Sequence, residues 1–185
     1  MRMQAVLLAS ALIASPAGAA TFGDAIAHYS LQQYDRALAE WQELAQTGDA
    51  PSEYYLGLLY ETGRGVSENV DTAIGWYEKA AAAGHAEAAY RLARLARQGG
   101  HLTADGQQIL DWVKQAAEGG VAEAQYEMGA YLAEGKLVPR DLKSALAWFK
   151  KAEAGFEGTP KAARAAQMRA LIEAKLPKVE ARVSE

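Results

Sequence analysis

Cysteine is absent from this 185-residue chain. No disulfide or thiolate metal site can therefore brace it, and no thiol can act as a nucleophile. Histidine is scarce: His28, His85 and His101 are the full set, far apart and without the i, i+4 spacing that sets two ligands on one helix face. We expect no metal and no cofactor. The "GRG" at residues 63–65 lacks the Gly-Lys-Ser/Thr that completes a phosphate loop, and the serines belong to no nucleophile elbow. Carboxylates such as Glu61 and Glu134 read as solvated helix surface. The pattern shows no catalytic site, so the reading is not an enzyme.

Basic charge is also short. The chain carries 19 Lys and Arg against 23 Asp and Glu, a net charge of −4, and residues 20–85 hold only 3 basic residues against 10 acidic ones. Nucleic acid needs a concentrated basic face to displace its counterions, and anionic lipid needs a polybasic patch. Neither is present. No nucleic-acid partner is expected.

The only long apolar run stands at the start. "MRMQ" carries Arg2, "AVLLASALIAS" follows, and Pro16 precedes "AGAA". This is the layout of a secretory signal peptide, with Ala17 and Ala19 as the small residues before the cut. The run is too short to span about 30 Å of hydrocarbon as a helix. Cleavage after Ala19 predicts a periplasmic or secreted chain with no stable membrane insertion. It is not a lipoprotein, since no cysteine follows the run. Loss of Arg2 leaves 18 basic and 23 acidic residues, a net charge of −5.

What fills the rest is a repeat. Trp76, Trp112 and Trp148 stand at a 36-residue period, as do Tyr54, Tyr90 and Tyr126. Leu56, Leu92 and Met128 keep the step, followed by the small residues Gly57, Ala93 and Gly129. Gly63, Gly99 and Gly135 come next, then Asn69, Asp105 and Asp141, then Ala73, Ile109 and Ala145. Such an array predicts stacked structural units that share one continuous core.

Each column has a physical task. Leu56, Gly57 and Tyr60 fall on one face at helical spacing, and the small column lets a neighbouring helix approach. Gly63 sits where a helix end wants a left-handed residue. Asn69, Asp105 and Asp141 are N-cap types for a second helix. Ala73, Ile74, Tyr77 and Ala80 form its apolar stripe, with Trp76 on the flank, before Gly84 and Gly120 end successive units. Each unit is a helix, a turn and a helix. An earlier unit shows at Ala37, Leu38 and Gly48, with a tighter turn. Thr159 and Pro160 open a final helix that closes the array, as a solenoid end requires. The fold class is all-α: a solenoid of antiparallel helix pairs with a 36-residue period.

At "LGLLYETGRGV" followed by "AIGWYEKAAAAGHAEAAY" the chain resembles the Sel-one-like repeat family, a branch of the tetratricopeptide repeat superfamily. The family pattern runs Leu-Gly-x-x-Tyr-x-x-Gly-x-Gly-Val, then Asp-x-x-Lys-Ala-x-x-Trp-Tyr-x-Lys-Ala-Ala. Residues 56–84 match it closely, with Asn69 for Asp and Thr72 for Lys. Residues 128–152 match through Met128, Gly129, Gly135, Val138, Asp141, Ala145, Trp148, Phe149 and Lys151. The middle unit departs at Ala93, Ala96, Ile109 and Val113. The resulting division is a signal peptide at 1–19, a degenerate tetratricopeptide-like unit at 20–49, repeats at 50–85, 86–121 and 122–156, a capping helix at 157–176 and a tail at 177–185.

The resemblance implies a right-handed superhelix whose concave side is lined by the first helix of each pair. It also implies work as an adaptor or scaffold, in the envelope or in secretion. On that side the residues offer Tyr54, Leu58 and Glu61, then Tyr90, Arg94 and Arg97, then Tyr126 and Ala130. Tyrosine and arginine anchor interfaces more often than other residues, so Tyr54, Leu58, Tyr90, Arg94, Arg97 and Tyr126 are the candidate partner-binding set. Two roles stay open: the tyrosines can fill the seam between helix pairs, and the arginines can be solvated. As anchors, the arginines point to an acidic protein or peptide partner; an exposed apolar edge would instead permit self-association. The second functional reading is a small hydrolase acting on cell-wall or penicillin-like compounds. It needs a nucleophile beside a base, and the relatives that suggest it are cysteine-rich.

Overall fold

Asn69 Oδ1 accepts the Thr72 N–H at 2.9 Å, Asp105 Oδ1 accepts that of Gln108 at 2.8 Å, and Asp141 Oδ1 accepts that of Ser144 at 3.0 Å. Each satisfies an amide left free at a helix start. The computed structural model describes residues 20–176; the expected signal peptide at 1–19 and tail at 177–185 lie outside the described residues. Among the described residues the chain forms nine α-helices and no strand: α1 (Phe22–Ser30), α2 (Tyr34–Ala45), α3 (Ala50–Thr62), α4 (Val70–Ala82), α5 (Ala86–Gln98), α6 (Gly106–Glu118), α7 (Ala122–Glu134), α8 (Leu142–Gly155) and α9 (Pro160–Glu173). Four helix pairs and a final single helix stack in order, each packing chiefly on its neighbours in sequence.

The core runs through the stack as a column that chemical similarity conceals. Trp41, Tyr77, Val113 and Phe149 are all fully buried, one per unit at 36-residue steps. The residue facing this column from the first helix scales with it. A Cβ on Gly57 would lie 2.5 Å from Tyr77 Cε1, and one on Gly129 would lie 3.0 Å from Phe149 Cδ1. In the middle repeat Val113 takes the ring's place, and fully buried Ala93 stands where the repeats on either side have glycine. The tryptophans of the 36-residue column, Trp76, Trp112 and Trp148, are only half-buried and pack on the core's margin.

Gly63 and Gly135 end α3 and α7 in the left-handed region, at φ 65° and 74°. Gly99 departs from that column. Its φ of 74° comes with ψ 174°, so the middle turn is opened rather than closed by a left-handed helical residue. In the first unit residues 31–33 connect α1 to α2, whereas 63–69 connect α3 to α4, so the tighter turn read from the sequence is present. Thr159 and Pro160 open α9, although the Thr159 hydroxyl donates backward to Phe156 O at 2.7 Å instead of capping forward. No helix among the described residues is long and apolar enough to cross a membrane.

Candidate binding face

The helices α3, α5, α7 and α9 carry charged groups at different heights, and the stack brings carboxylates of one helix against cations of a neighbouring one. Glu61 on α3 is the first such junction. It accepts from the Tyr77 hydroxyl at 2.5 Å, from Arg94 at 2.8 Å and from Arg91 at 3.4 Å. Its side chain is only 14% exposed, so the expectation of a solvated surface carboxylate is corrected here; Glu134 is exposed as expected. The physical reason is the neighbouring unit. A lone α3 would leave Glu61 in water, but α5 lays two guanidinium groups over it.

The second junction joins α5 to α7. Glu127 accepts from Arg97 at 2.6 Å and from the Tyr90 hydroxyl at 2.9 Å. The third joins α7 to α9, where Lys161 reaches Glu123 at 2.5 Å and Arg164 Nε donates to the Tyr126 hydroxyl at 3.1 Å. Burial raises the Tyr77 and Tyr90 phenols, and the carboxylates of Glu61 and Glu127 that accept their protons hold them up further. Burial is the largest single influence on Glu123 and would raise it too, but the hydrogen bond from Lys161, a backbone hydrogen bond and the Lys161 charge together outweigh it and hold that carboxyl below its usual range. The junction bonds are all charge-assisted, a class stronger than neutral hydrogen bonds; those on Glu61 and between Tyr90 and Glu127 are part-buried, whereas those made by Arg97, Lys161 and Arg164 are exposed.

The candidate residues take up distinct positions in this frame. Tyr54 is half-buried, packs against the main core and stacks on the His85 imidazole at 4.7 Å with an interplanar angle of 16°. Leu58 is half-buried on α3. Tyr90 packs against the same core while its hydroxyl reaches Glu127. Arg94 and Arg97 are engaged within the chain, although the Arg94 Nε is buried without a partner. Tyr126 lies edge-on to Phe149 with its centroid 5.3 Å away, under the Arg164 guanidinium. Tyr90 and Tyr126 come together in one cleft of about 290 Å³, with Glu127, Phe156, Lys161 and Arg164 among its walls. Tyr54 and Leu58 lie outside it.

The sequence reading missed Arg91, Glu127, Lys161 and Arg164. A signal existed for the first: Arg91, Arg94 and Arg97 recur every third residue along one helix. For α9 the register itself changes. Its bridges to α7 span 38 residues, two more than the period, because α8 and the connection after it are each one residue longer than their counterparts. The histidines all have identified neighbours: His28 meets Glu40 at 2.8 Å, His101 meets Asp71 at 3.0 Å, and His85 caps α5 by accepting the Ala88 N–H at 3.3 Å. Burial holds the His85 imidazole below its usual range, against the opposing pull of Glu87 and Asp49. Among the described residues no group of three or more acidic or histidine side chains could hold a metal ion.

Two-helix units repeated at a fixed period and sharing one core column define a helical repeat solenoid. The Sel1 repeat family matches residues 50–85, 86–121 and 122–154, and the chain belongs to that family, within the tetratricopeptide-like superfamily. Among solved structures, a Sel1 repeat protein from Oxalobacter formigenes is 27% identical with a TM-score of 0.67, over 74% of this chain and 56% of that one. A protective antigen of uropathogenic Escherichia coli strains, described as displaying an SLR fold, is 31% identical with a TM-score of 0.58, over 71% of this chain and 31% of that one. The chain thus spans about half the length of the first relative and about a third of the second. A search of curated proteins gives no match. Sel1 repeats typically serve as protein-interaction scaffolds.

Proposed function

We propose that this chain is a non-catalytic adaptor, working in the periplasm or outside the cell, that holds a protein or peptide partner along its first-helix face. The observation that carries this reading is the cleft where Tyr90 and Tyr126 converge beside Lys161 and Arg164. Rigid aromatic rings with charged groups at their edge are the composition of interface anchors. The clasps between successive first helices add rigidity, which lowers the entropic cost of binding. The signal-peptide pattern of residues 1–19 supports the location. No observation among the described residues favours the hydrolase reading: the hydrogen-bond partners of the three histidines are carboxylates and one backbone amide, and the ring stacked on His85 is that of Tyr54.

The test is capture from an extracytoplasmic extract with the immobilised chain and two variants. Leu58→Asp alters the first-helix face, and Lys114→Asp alters exposed surface on α6. A stoichiometric partner lost with Leu58→Asp and kept with Lys114→Asp supports the adaptor. A partner lost only with Lys114→Asp contradicts it.

A further inference from the structure

Of the cations along the first-helix face, four have carboxylates from a neighbouring unit. Arg91 and Arg94 share Glu61, Arg97 holds Glu127, and Lys161 holds Glu123. Arg164 differs. Among the described residues its only hydrogen bond is from Nε to the Tyr126 hydroxyl, with the guanidinium carbon 5.4 Å from that ring's centroid. The two terminal nitrogens, which form the edge that grips a carboxylate through parallel hydrogen bonds, have no acceptor among the described residues. Arg164 lines the cleft, whose lining is mainly apolar around Tyr126; Phe156 at its base is 6% exposed, with Lys161 Nζ 5.5 Å from its ring centroid. Glu123 and Glu127 lie in the same lining but are each already engaged by a cation, so the charge left uncompensated there is positive.

We infer that the cleft between α7 and α9 is an anchor pocket for an acidic peptide segment, taking an apolar side chain beside Tyr126 and an adjacent carboxylate onto Arg164. The inference rests on the adaptor reading and gives the partner its chemistry. The volume agrees: about 290 Å³ is just under the roughly 300–1,000 Å³ of small-molecule pockets, room for a single anchor side chain. The Tyr126 ring and hydroxyl both meet the exposed Arg164 guanidinium, which lowers the rotamer entropy to be lost on binding. The pocket also gives α9 a second task. This helix lies beyond the repeat-family match, which stops at residue 154, and it supplies both Lys161 and Arg164.

The experiment titrates the purified chain with acetylated, amidated peptides. One carries Asp-Phe-Glu between Gly and Ser flanks, a second carries Asn-Phe-Gln, and a third carries Asp-Ala-Glu. Binding is followed by amide chemical shifts. The first peptide should bind, with shifts on α7 and α9. Loss of either the charge or the ring should weaken it about tenfold, the equivalent of one good contact of about 1.4 kcal/mol. Arg164→Gln should weaken the first peptide by the same factor and leave the second unchanged, with its melting temperature as a check on folding. Arg140→Gln removes an equal charge from the exposed turn before α8 and should have no effect. Equal weakening by both variants would show general charge attraction and overturn the pocket. So would no saturable binding below about 1 mM, the weakest range of specific recognition. Shifts confined to α3 and α5 would also overturn the pocket while leaving the adaptor reading standing, and partner capture with Leu58→Asp tests that reading separately.

Discussion

The ring of Tyr77 lies flat against the backbone at Gly57, so close that a Cβ there would stand 2.5 Å from Cε1. The ring cannot swing away, because it is fully buried and its hydroxyl is tied to Glu61. Gly57→Ala should therefore lower stability by up to about 2 kcal/mol, overpacking exceeding the roughly 1 kcal/mol gained in helix propensity. Gly75, inside α4, has nothing within 4 Å of where its Cβ would be. Gly75→Ala should raise stability by up to about 1 kcal/mol. Urea unfolding at constant slope measures both. A stabilising Gly57→Ala would mean that the two helices are further apart than described.

The middle unit already holds the compensated form of this contact, Ala93 with Val113. Transplanted to the third repeat, Gly129→Ala and Phe149→Val should couple. The double variant should lose less than the sum of the singles, by about 0.5–3 kcal/mol, the usual range for residues in contact. Strict additivity would contradict the pairing of the two columns.

Much of this fold was readable in the sequence, and the reason is locality. Asn69, Asp105 and Asp141 cap helices through bonds to amides two or three residues away, so their chemistry announces their place. The buried column was harder to see. Trp41, Tyr77, Val113 and Phe149 share a volume to fill and no functional group, whereas the half-buried tryptophans repeat as identical letters. The candidate face depended on pairs 30–38 residues apart, such as Glu61 with Arg91 and Glu123 with Lys161. Their meeting follows from how units stack, and α9 changes that register by two residues.

The Glu61 junction has its own signature. Tyr77→Phe removes a hydroxyl that donates to a charged, part-buried acceptor and should cost about 1.5–3 kcal/mol. The Lys114–Glu118 pair is about 60% exposed on both sides. Lys114→Ala should cost under about 0.5 kcal/mol, as exposed helix pairs do. Similar losses in the two variants would show that Glu61 is solvated after all.

Stability should fall as the solution is acidified through the histidine range, and His85 sets the sign. Its folded-state affinity for protons lies below the ordinary value of 6.5, because burial disfavours the charged ring. The unfolded chain therefore binds more protons, and the stability this group contributes is present above the ordinary value and lost as pH falls through the folded one. Protonation also removes the Nδ1 acceptor that caps α5. His85→Asn keeps a capping side chain and does not titrate. Melting temperatures from about pH 7 to 5 should decline less in the variant than in the parent. A parallel decline would place the proton uptake elsewhere.

The proposed binding face is tested most directly by photo-crosslinking in intact cells, with a photoreactive amino acid at Leu58 or Arg164 on the first-helix face, or at Lys114 or Glu118 on α6. Expected is a discrete covalent adduct, identifiable by mass spectrometry, from the first two positions and none from the last two. Adducts from Lys114 and Glu118 alone, with Leu58 and Arg164 silent, would contradict a first-helix binding face.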